Sequence, residues 1–310
     1  MNEKTQRQIE EMKKTTFGVE IEFNNITRKK AAEALARHFG TQAYYAAAEY
    51  GYMAWAVRDP QGRIWKIQRD VSIEGPDDQR CELVTPVLRY DDMELLQEAV
   101  RQLRHAGAKA SASRGTGTHI HLGSDGHTPQ TIRTLVNMMA AHENQLIKAI
   151  RIDRWRMSRY CRTVDPHFLE RLNKQKPKTM EALAKCWYNG RIQHEHYSET
   201  RYRMLNLHSL FNRYHTIEFR LFQFDEPTED RKGGLNAGQL KAQIQLCLAM
   251  NQLAKMIKFA SPKPQQTENE AFAFRTFMCR LGMIGDEFKT ARDYYMRNME
   301  GNSAWRFGRP

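Results

Sequence analysis

FGVEIEF (Phe17–Phe23) alternates apolar residues with a glycine and two glutamates, and this pattern decides how the chain is expected to fold. Successive side chains of a β-strand point to opposite faces of a sheet, so Glu20 and Glu22 project together while the apolar residues face a core. Two carboxylates on one covered face are costly to remove from water unless a cation meets them. The segment therefore predicts a strand that carries a cation site.

Two more segments repeat this spacing. His119 and His121 lie two apart in GTGTHIHLG, and Glu218 and Arg220 lie two apart in TIEFRLF. The glycines before the histidines allow the backbone to approach a ligand closely and to offer N–H groups to an anion. Three such strands side by side would place carboxylates, imidazoles and a guanidinium on one sheet face, which indicates a metal and phosphate site.

Composition and charge limit the class of protein. The chain has 310 residues, 27% of them charged and 41% apolar, as in an ordinary soluble protein. It has no apolar run of membrane-spanning length, its N-terminus is too polar for a secretory signal, and its five cysteines form no C-x-x-C pair. We therefore expect a cytoplasmic protein without a membrane partner. The net charge of +12 fits an anionic partner, although a solvated basic surface explains it equally well.

The element pattern predicts the α+β class. Six to eight short strands in hairpin-like order alternate with helices, and no strand is followed by a glycine-rich phosphate loop and a helix. We expect a mainly antiparallel sheet with helices packed on one face and a helical C-terminal region. The predicted boundaries are a lead-in at 1–15, a main domain at 16–260 with a helical insert or lid at about 153–198, and a C-terminal helical extension at 261–310.

Several segments near these motifs are also predicted to form β-strands. Tyr52–Val57 and Arg63–Gln68 are rich in β-forming residues and are joined by Asp-Pro-Gln-Gly, so they predict a hairpin, which Asp70–Ile73 is expected to continue. Cys81–Val87 and Arg201–Leu207 are predicted strands as well. By contrast, His194 and His196 have no third ligand spaced nearby, and we expect them in a solvated loop.

Four glutamates lie inside apolar, strand-like runs: Glu20, Glu22, Glu82 and Glu218. Divalent metal ions explain such a set better than four separate ion pairs, and oxygen-rich ligands favour Mg²⁺ or Mn²⁺ over zinc. For any one of the four, exposure to solvent is an alternative that stays open.

Arginines accompany the last of these glutamates. Arg201 and Arg203 precede Glu218 in the chain, and Arg220 follows it by two residues. Arginine binds phosphate or carboxylate through two parallel hydrogen bonds, and a guanidinium beside a metal-binding glutamate would offset charge during phosphoryl transfer. The alternative is a ladder of Glu–Arg ion pairs across neighbouring strands.

The order of the motifs resembles the amidoligase family, carboxylate–amine ligases related to glutamine synthetase and glutamate–cysteine ligase. The motifs are GVEIEF, Asp70-Val71-Ser72, ELVTP (Glu82–Pro86), GTHIHLG, Tyr202-Arg-Met-Leu-Asn206 and TIEFR. Each motif alone is a weak signal for the family. Their joint presence in this order, over about residues 16–225, is a specific signal. The resemblance implies a glutamine-synthetase-like sheet with ATP and Mg²⁺, or Mn²⁺, as cofactors.

The resemblance also implies roles for single residues. Five are expected to be metal ligands: Glu20, His119 and Glu218 on the nucleotide side, and Glu22 and Glu82 on the substrate side. Three are expected to contact ATP phosphates or substrate: His121, Arg203 and Arg220. Asp70 is expected to serve a metal, the substrate amine or only its turn.

The implied activity is ATP-dependent formation of an amide through an acyl phosphate. The substrate would be a peptide or amino-acid-derived carboxylate, joined to an amine. A zinc hydrolase built on His119 and His121 and a basic nucleic-acid-binding protein are the alternatives. The carboxylate-rich set and Arg220 argue against the hydrolase, and strand glutamates without metal would repel nucleic-acid phosphates.

Overall fold

The computed structural model describes residues 2–193, 195, 198–229, 233–264 and 266–307, so the loop predicted at His194 and His196 lies outside the described residues. The described strands are β1 (Phe17–Phe23), β2 (Ala43–Tyr45), β3 (Trp55–Arg58), β4 (Ile64–Arg69), β5 (Cys81–Val84), β6 (Thr118–Gly123), β7 (Leu205–Asn206) and β8 (Thr216–Phe222). The described helices are α1 (Glu3–Lys13), α2 (Arg28–Phe39), α3 (Ala47–Tyr50), α4 (Met93–His105), α5 (Pro129–Ile150), α6 (Arg154–Arg159), α7 (Pro166–Gln175), α8 (Met180–Trp187), α9 (His208–Phe211), α10 (Ala237–Met256), α11 (Glu270–Arg280) and α12 (Lys289–Met296).

These elements confirm the α+β class and the helical C-terminal region. The chain divides into two compact units: the sheet unit (Thr16–His121 and Phe222–Lys241) and the helical unit (residues 1–15, 122–221 and 242–310). The domains predicted from the sequence, with boundaries at residues 15 and 260, are each one continuous segment, whereas each of these units combines separate segments. The predicted boundaries stay a prediction.

The sheet unit is built on strands in the order β2-β3-β4-β5-β1-β6. Each neighbouring pair from β2 to β1 is antiparallel, which confirms the mainly antiparallel sheet. The first strand is β1, the FGVEIEF segment, and it lies between β5 and β6 rather than beside its neighbour in sequence.

One face of this sheet is an apolar core. Ile21, Leu83 and Ile67 lie opposite one another on β1, β5 and β4, and all three are fully buried. Helix α2 packs against β3 and β4, and α4 packs against α2. The Thr27 side chain accepts a hydrogen bond from the Lys30 N–H and so caps the start of α2. The prediction of helices on one face is therefore confirmed for this unit.

The predicted β3–β4 hairpin is confirmed, and Asp59 organises its turn. The buried carboxylate of Asp59 accepts hydrogen bonds from Trp65 Nε1 at 3.0 Å and Arg63 Nε at 2.7 Å, and from the N–H of Gln61 at 3.0 Å. Strand β3, the first strand of the hairpin, begins at Trp55, later than the predicted start at Tyr52. Tyr52 and the residue after it have φ near +48°, a turn conformation that a strand does not accept.

Two predicted strands of the sheet unit are shorter than expected. Cys81–Val87 ends as a strand at Val84, because the next residue turns its hydroxyl to the N–H of Val19 at 2.9 Å and Pro86 has no N–H to donate. Asp70–Ile73 does not continue β4. Instead, the Asp70 carboxylate accepts the Ser72 N–H at 2.7 Å and closes a turn.

The helical unit centres on α5, where the Thr128 side chain caps the first turn and a proline follows as the first helical residue. Helix α5 packs against α7 and α12, α7 against α8, and α11 against α12. Strands β7 and β8 pair antiparallel, with Asn206 opposite Glu218. The strand predicted at Arg201–Leu207 is wrong for its first half, because Met204 donates its N–H to the Arg162 carbonyl and only Leu205–Asn206 pair as a strand. Within the described residues, no helix is long and apolar enough to cross a membrane.

Candidate metal and phosphate site

The second face of the sheet unit carries a row of polar side chains. Glu22 on β1 lies opposite Glu82 on β5, which lies opposite Gln68 on β4. Directly opposite residues share a face, so the three side chains project together, away from the apolar core. Gln68 Nε2 donates a hydrogen bond of 2.7 Å to Glu82 Oε2. Sequence reasoning missed Gln68, since a single glutamine in a strand carries no signal of its own.

The histidines of β6 join this face. His119 Nδ1 lies 3.1 Å from Glu20 Oε2, and His119 Nε2 lies 3.7 Å from Glu22 Oε1. His121 Nε2 lies 3.4 Å from Glu20 Oε1. The side chains of His119 and Glu22 are 6% and 8% exposed, while that of Glu20 is 27% exposed. The predicted i, i+2 pairs therefore do meet, and Glu20 marks the side open to solvent.

The glycine-rich segment before β6 orients one carboxylate. The Gly117 N–H donates a hydrogen bond of 2.6 Å to Glu22 Oε2, and the Glu22 N–H donates to the Gly117 carbonyl at 3.0 Å. One oxygen of Glu22 is thus held by backbone, which leaves the other directed at the cluster. This is the close backbone approach that the GTGT sequence predicts.

Two sets of three donor atoms lie close enough to share an ion. The donors of Glu20, Glu82 and His119 lie within 4.8 Å of one another, and so do those of Glu22, Asp70 and Glu82. Glu82 belongs to both sets. The structure therefore brings together Asp70 and four of the five predicted ligands, in an arrangement where one carboxylate can bridge two positions.

Electrostatics within this carboxylate cluster (Glu20, Glu22, Asp70 and Glu82) are unfavourable without a cation. Burial raises the pKa of Glu82 well above its ordinary value, and the negative charges of Glu20, Asp70 and Glu22 raise it further. The Gln68 hydrogen bond only partly opposes this shift. In the part of the chain that the structure describes, no lysine or arginine forms an ion pair with Glu20, Glu22 or Glu82.

Glu20 behaves in the opposite way. Burial opposes its ionisation, but the charge of His121 and the hydrogen bonds of both histidines outweigh burial and hold its pKa well below the ordinary value. Carboxylate oxygens with one or two imidazoles form the donor set expected for Mg²⁺ or Mn²⁺ more than for zinc, which prefers nitrogen and sulfur. The residues present thus fit a hard divalent cation.

Glu218 and Arg220 lie in the helical unit, where both are buried. Arg220 Nη1 donates to Glu218 Oε1, and Asn206 Nδ2 donates to Glu218 Oε2 at 2.6 Å. The Arg220 guanidinium also lies 5.9 Å from the centroid of the Tyr202 ring. The Glu–Arg pair considered from the sequence is therefore present, and it joins residues of one strand. A metal-binding role for Glu218 and a phosphate-binding role for Arg220 stay predictions.

Arg203 is held at a different place in the helical unit. Its Nη1 donates to the Thr163 carbonyl at 2.9 Å, and its Nη2 lies 3.4 Å from Asp165 Oδ2. Between those two residues, the Val164 N–H donates to Glu143 Oε1 at 2.5 Å. Burial raises the pKa of Glu143 to about 7, although this hydrogen bond and the charge of Arg203 oppose the shift. Glu143 has no signature in the sequence, because only the tertiary fold buries it.

Comparisons with known proteins place the chain in a family. No curated protein matches it. Among solved structures, a bifunctional glutathione synthetase from Pasteurella multocida matches with a TM-score of 0.47 and 12% identity, over 94% of this chain and 49% of that one. The chain thus spans about half the length of that protein. The model of the family described as "Putative amidoligase enzyme" matches residues 13–251, and this chain therefore belongs to the amidoligase family.

Proposed function

We propose that this protein is an ATP-dependent carboxylate–amine ligase. The observation that carries the proposal is the carboxylate cluster, in which Glu82 bridges two donor sets. A family of amide-forming enzymes and a face suited to hard divalent cations support the same chemistry, because transfer of a phosphoryl group requires its negative charge to be offset.

Mg²⁺ is the metal that fits this face and commonly accompanies ATP. Glu20, Glu82 and His119 would hold one position, and Glu22, Asp70 and Glu82 the other. When bound, the metal supplies positive charge to the phosphate oxygens. His121 contacts Glu20, which orients that carboxylate toward the cluster.

The proposed reaction has two steps. A carboxylate oxygen of the substrate attacks the γ-phosphorus, the bond from that phosphorus to the bridging oxygen of ADP breaks, and an acyl phosphate and ADP result. An amine nitrogen then attacks the acyl carbon, phosphate leaves with its oxygen, and the nitrogen loses a proton. Arg203 and Arg220 are proposed to offset the negative charge of the phosphoryl group.

The chemistry needs no covalent nucleophile on the protein. Cys81, the cysteine nearest the cluster in sequence, is fully buried, and burial raises the pKa of its thiol to about 12. Its sulfur lies 3.3 Å from the Ile26 carbonyl oxygen, in a buried contact. The cysteine is accordingly assigned to packing. We propose a peptide or amino-acid-derived carboxylate as the substrate.

Conversion of ATP to ADP and phosphate tests the proposal. Wild-type protein and Glu20→Gln are incubated with Mg²⁺, ATP and pooled carboxylates and amines, and each pool is omitted in turn. We expect turnover that requires Mg²⁺ and both pools, and that falls at least about 100-fold in Glu20→Gln. Cleavage of amide substrates in the presence of Zn²⁺ and without ATP would instead support the hydrolase.

A further inference from the structure

A second row of residues crosses the carboxylate face. Glu20 lies opposite Val84, Val84 opposite Lys66, Lys66 opposite Ala56, and Ala56 opposite Tyr44. Because opposite residues of antiparallel strands share a face, Lys66 projects on the same face as Glu20. The row runs beside the one formed by Glu22, Glu82 and Gln68, since Lys66 and Gln68 are two positions apart along β4. A lysine therefore lies on the face that holds the cluster.

Lys66 has no acidic partner among the described residues. In the described part of the chain, its ammonium has no carboxylate within 4.0 Å, and the contact that it makes is with the Tyr50 ring, 5.1 Å from Nζ to the centroid. A hydrogen bond with Glu49 raises the pKa of Tyr50 to about 12, so the ring under the ammonium is a neutral phenol. This half-buried cation shares a sheet face with the carboxylate cluster, rests on a ring and pairs with none of the four carboxylates, so it is placed for a ligand.

The spacing suits a polyphosphate. Strands β1 and β4 are separated only by β5, so the backbones at Glu20 and Lys66 lie about 9.6 Å apart, two strand spacings. A phosphate held at the carboxylate cluster would have its neighbouring phosphate over Val84, which presents no charge. The next permanent positive charge along this row is Lys66. Lysine is a common phosphate ligand that acts as a point charge.

We propose that Lys66 binds a phosphate group of the nucleotide whose remaining phosphates lie at the carboxylate cluster. The inference rests on the proposed function, since it takes a metal–nucleotide complex as the ligand. Tyr50 is a positioning residue that holds the ammonium above the sheet. Nothing in the sequence points to this lysine, because its role depends on which strands are neighbours.

Lys29 is a matched control. Its Nζ also lies over an aromatic ring, 5.6 Å from the centroid of Trp55. Trp55 lies opposite Ile67, in the apolar row that runs through Leu83, so this lysine belongs to the opposite face of the same unit. Removal of its charge changes the net charge as Lys66→Met does, but leaves the carboxylate face intact.

Calorimetric titration tests the inference. Mg²⁺ with a non-hydrolysable ATP analogue, and separately Mg²⁺ with inorganic pyrophosphate, are titrated into wild type, Lys66→Met, Lys66→Arg and Lys29→Met. We expect Lys66→Met to weaken both ligands about 10-fold to 100-fold, Lys66→Arg to keep most of the affinity, and Lys29→Met to match wild type. Tyr50→Leu, which keeps the charge, should weaken both ligands less than Lys66→Met.

Each other outcome is decisive. If wild type binds both ligands and Lys66→Met binds them equally well, the role of Lys66 is overturned while the proposed function stands. If Lys66→Met weakens the nucleotide but not pyrophosphate, Lys66 does not bind phosphate. If wild type binds no nucleotide with Mg²⁺, the proposed function fails and the inference fails with it. Thermal melting of each variant confirms that it is folded.

Discussion

Glu22 and Glu82 lie directly opposite each other on neighbouring antiparallel strands, and both side chains are almost fully buried. Like charges in this arrangement destabilise a sheet, so the pair is costly in the absence of a cation. Gln68 and the Gly117 N–H each donate one hydrogen bond, which holds the two carboxylates in place without cancelling their repulsion.

Glu82→Gln should stabilise the metal-free protein. Burial and the neighbouring carboxylates oppose the ionisation of Glu82 and raise its pKa, a cost that neutral glutamine does not carry, and glutamine can still accept the hydrogen bond that Gln68 donates. We expect an increase of about 1 kcal/mol in the free energy of unfolding, measured by urea titration with a chelator present. With saturating Mg²⁺ the order should reverse, because wild type gains about 2.7 kcal/mol at 100 times its Kd and the variant gains less. If Glu82→Gln is less stable than wild type when the chelator is present, repulsion between the carboxylates does not destabilise the metal-free protein.

Glu143→Gln should change how stability depends on pH. Burial raises the folded-state pKa of Glu143 from 4.5 to about 7, so ionisation is easier in the unfolded chain. The stability that this group contributes is complete below about pH 4.5 and is lost as the pH rises through about 7. Glutamine can still accept the Val164 N–H. The variant should therefore gain on the order of 1–2 kcal/mol relative to wild type between pH 5 and pH 8. If the free energies of unfolding of wild type and Glu143→Gln change with pH in parallel, the carboxyl of Glu143 has an ordinary pKa and the account is contradicted.

Asp59→Ala should destabilise the β3–β4 hairpin. The buried carboxylate accepts bonds from Trp65 and Arg63, and the Arg63 guanidinium also pairs with Asp92 at 2.8 Å. Removal of the acid leaves a buried indole N–H without its acceptor, at a cost of about 1–3 kcal/mol in the free energy of unfolding. Glu33→Ala, on α2 with its side chain 42% exposed, is the control and should change stability by less than about 0.5 kcal/mol. A loss below 1 kcal/mol for Asp59→Ala would show that the turn does not depend on this residue.

Arg220→Lys should lower turnover while the protein stays folded. Lysine keeps the positive charge beside Glu218 but loses the planar fork that holds an anion by two bonds. If Arg220 contacts the transferring phosphoryl group, the rate of ATP turnover at saturating substrates should fall about 100-fold. Arg213→Lys is the matched control, an exposed arginine near the start of the same strand. Equal rates for Arg220→Lys and wild type, with unchanged melting, would assign Arg220 to structure alone.

The sequence predicted what depends on local periodicity. The alternation in FGVEIEF places Glu20 and Glu22 on one face, and the turn signal after β3 gives the hairpin. What depends on distant partners was out of reach. The pairing of β5 with β4 and β1 places Gln68 and Glu22 opposite Glu82, and it brings Asp70, which follows β4, to the cluster. The same limit explains the error at Arg201–Leu207, whose backbone pairs with Arg162, 40 residues earlier than Tyr202.

Direct titration of Mn²⁺ into metal-free protein tests the central claim, that the face carrying Glu20, Glu22, Glu82 and His119 binds divalent cations. Wild type, Glu22→Gln and Glu82→Gln are compared by calorimetry, with Glu33→Gln on helix α2, whose side chain is 42% exposed, as the control. We expect saturable Mn²⁺ binding by wild type and Glu33→Gln that Mg²⁺ displaces, and at least about 10-fold weaker binding by the other two variants. Equal affinity in all four proteins, or no binding by wild type, would contradict the account.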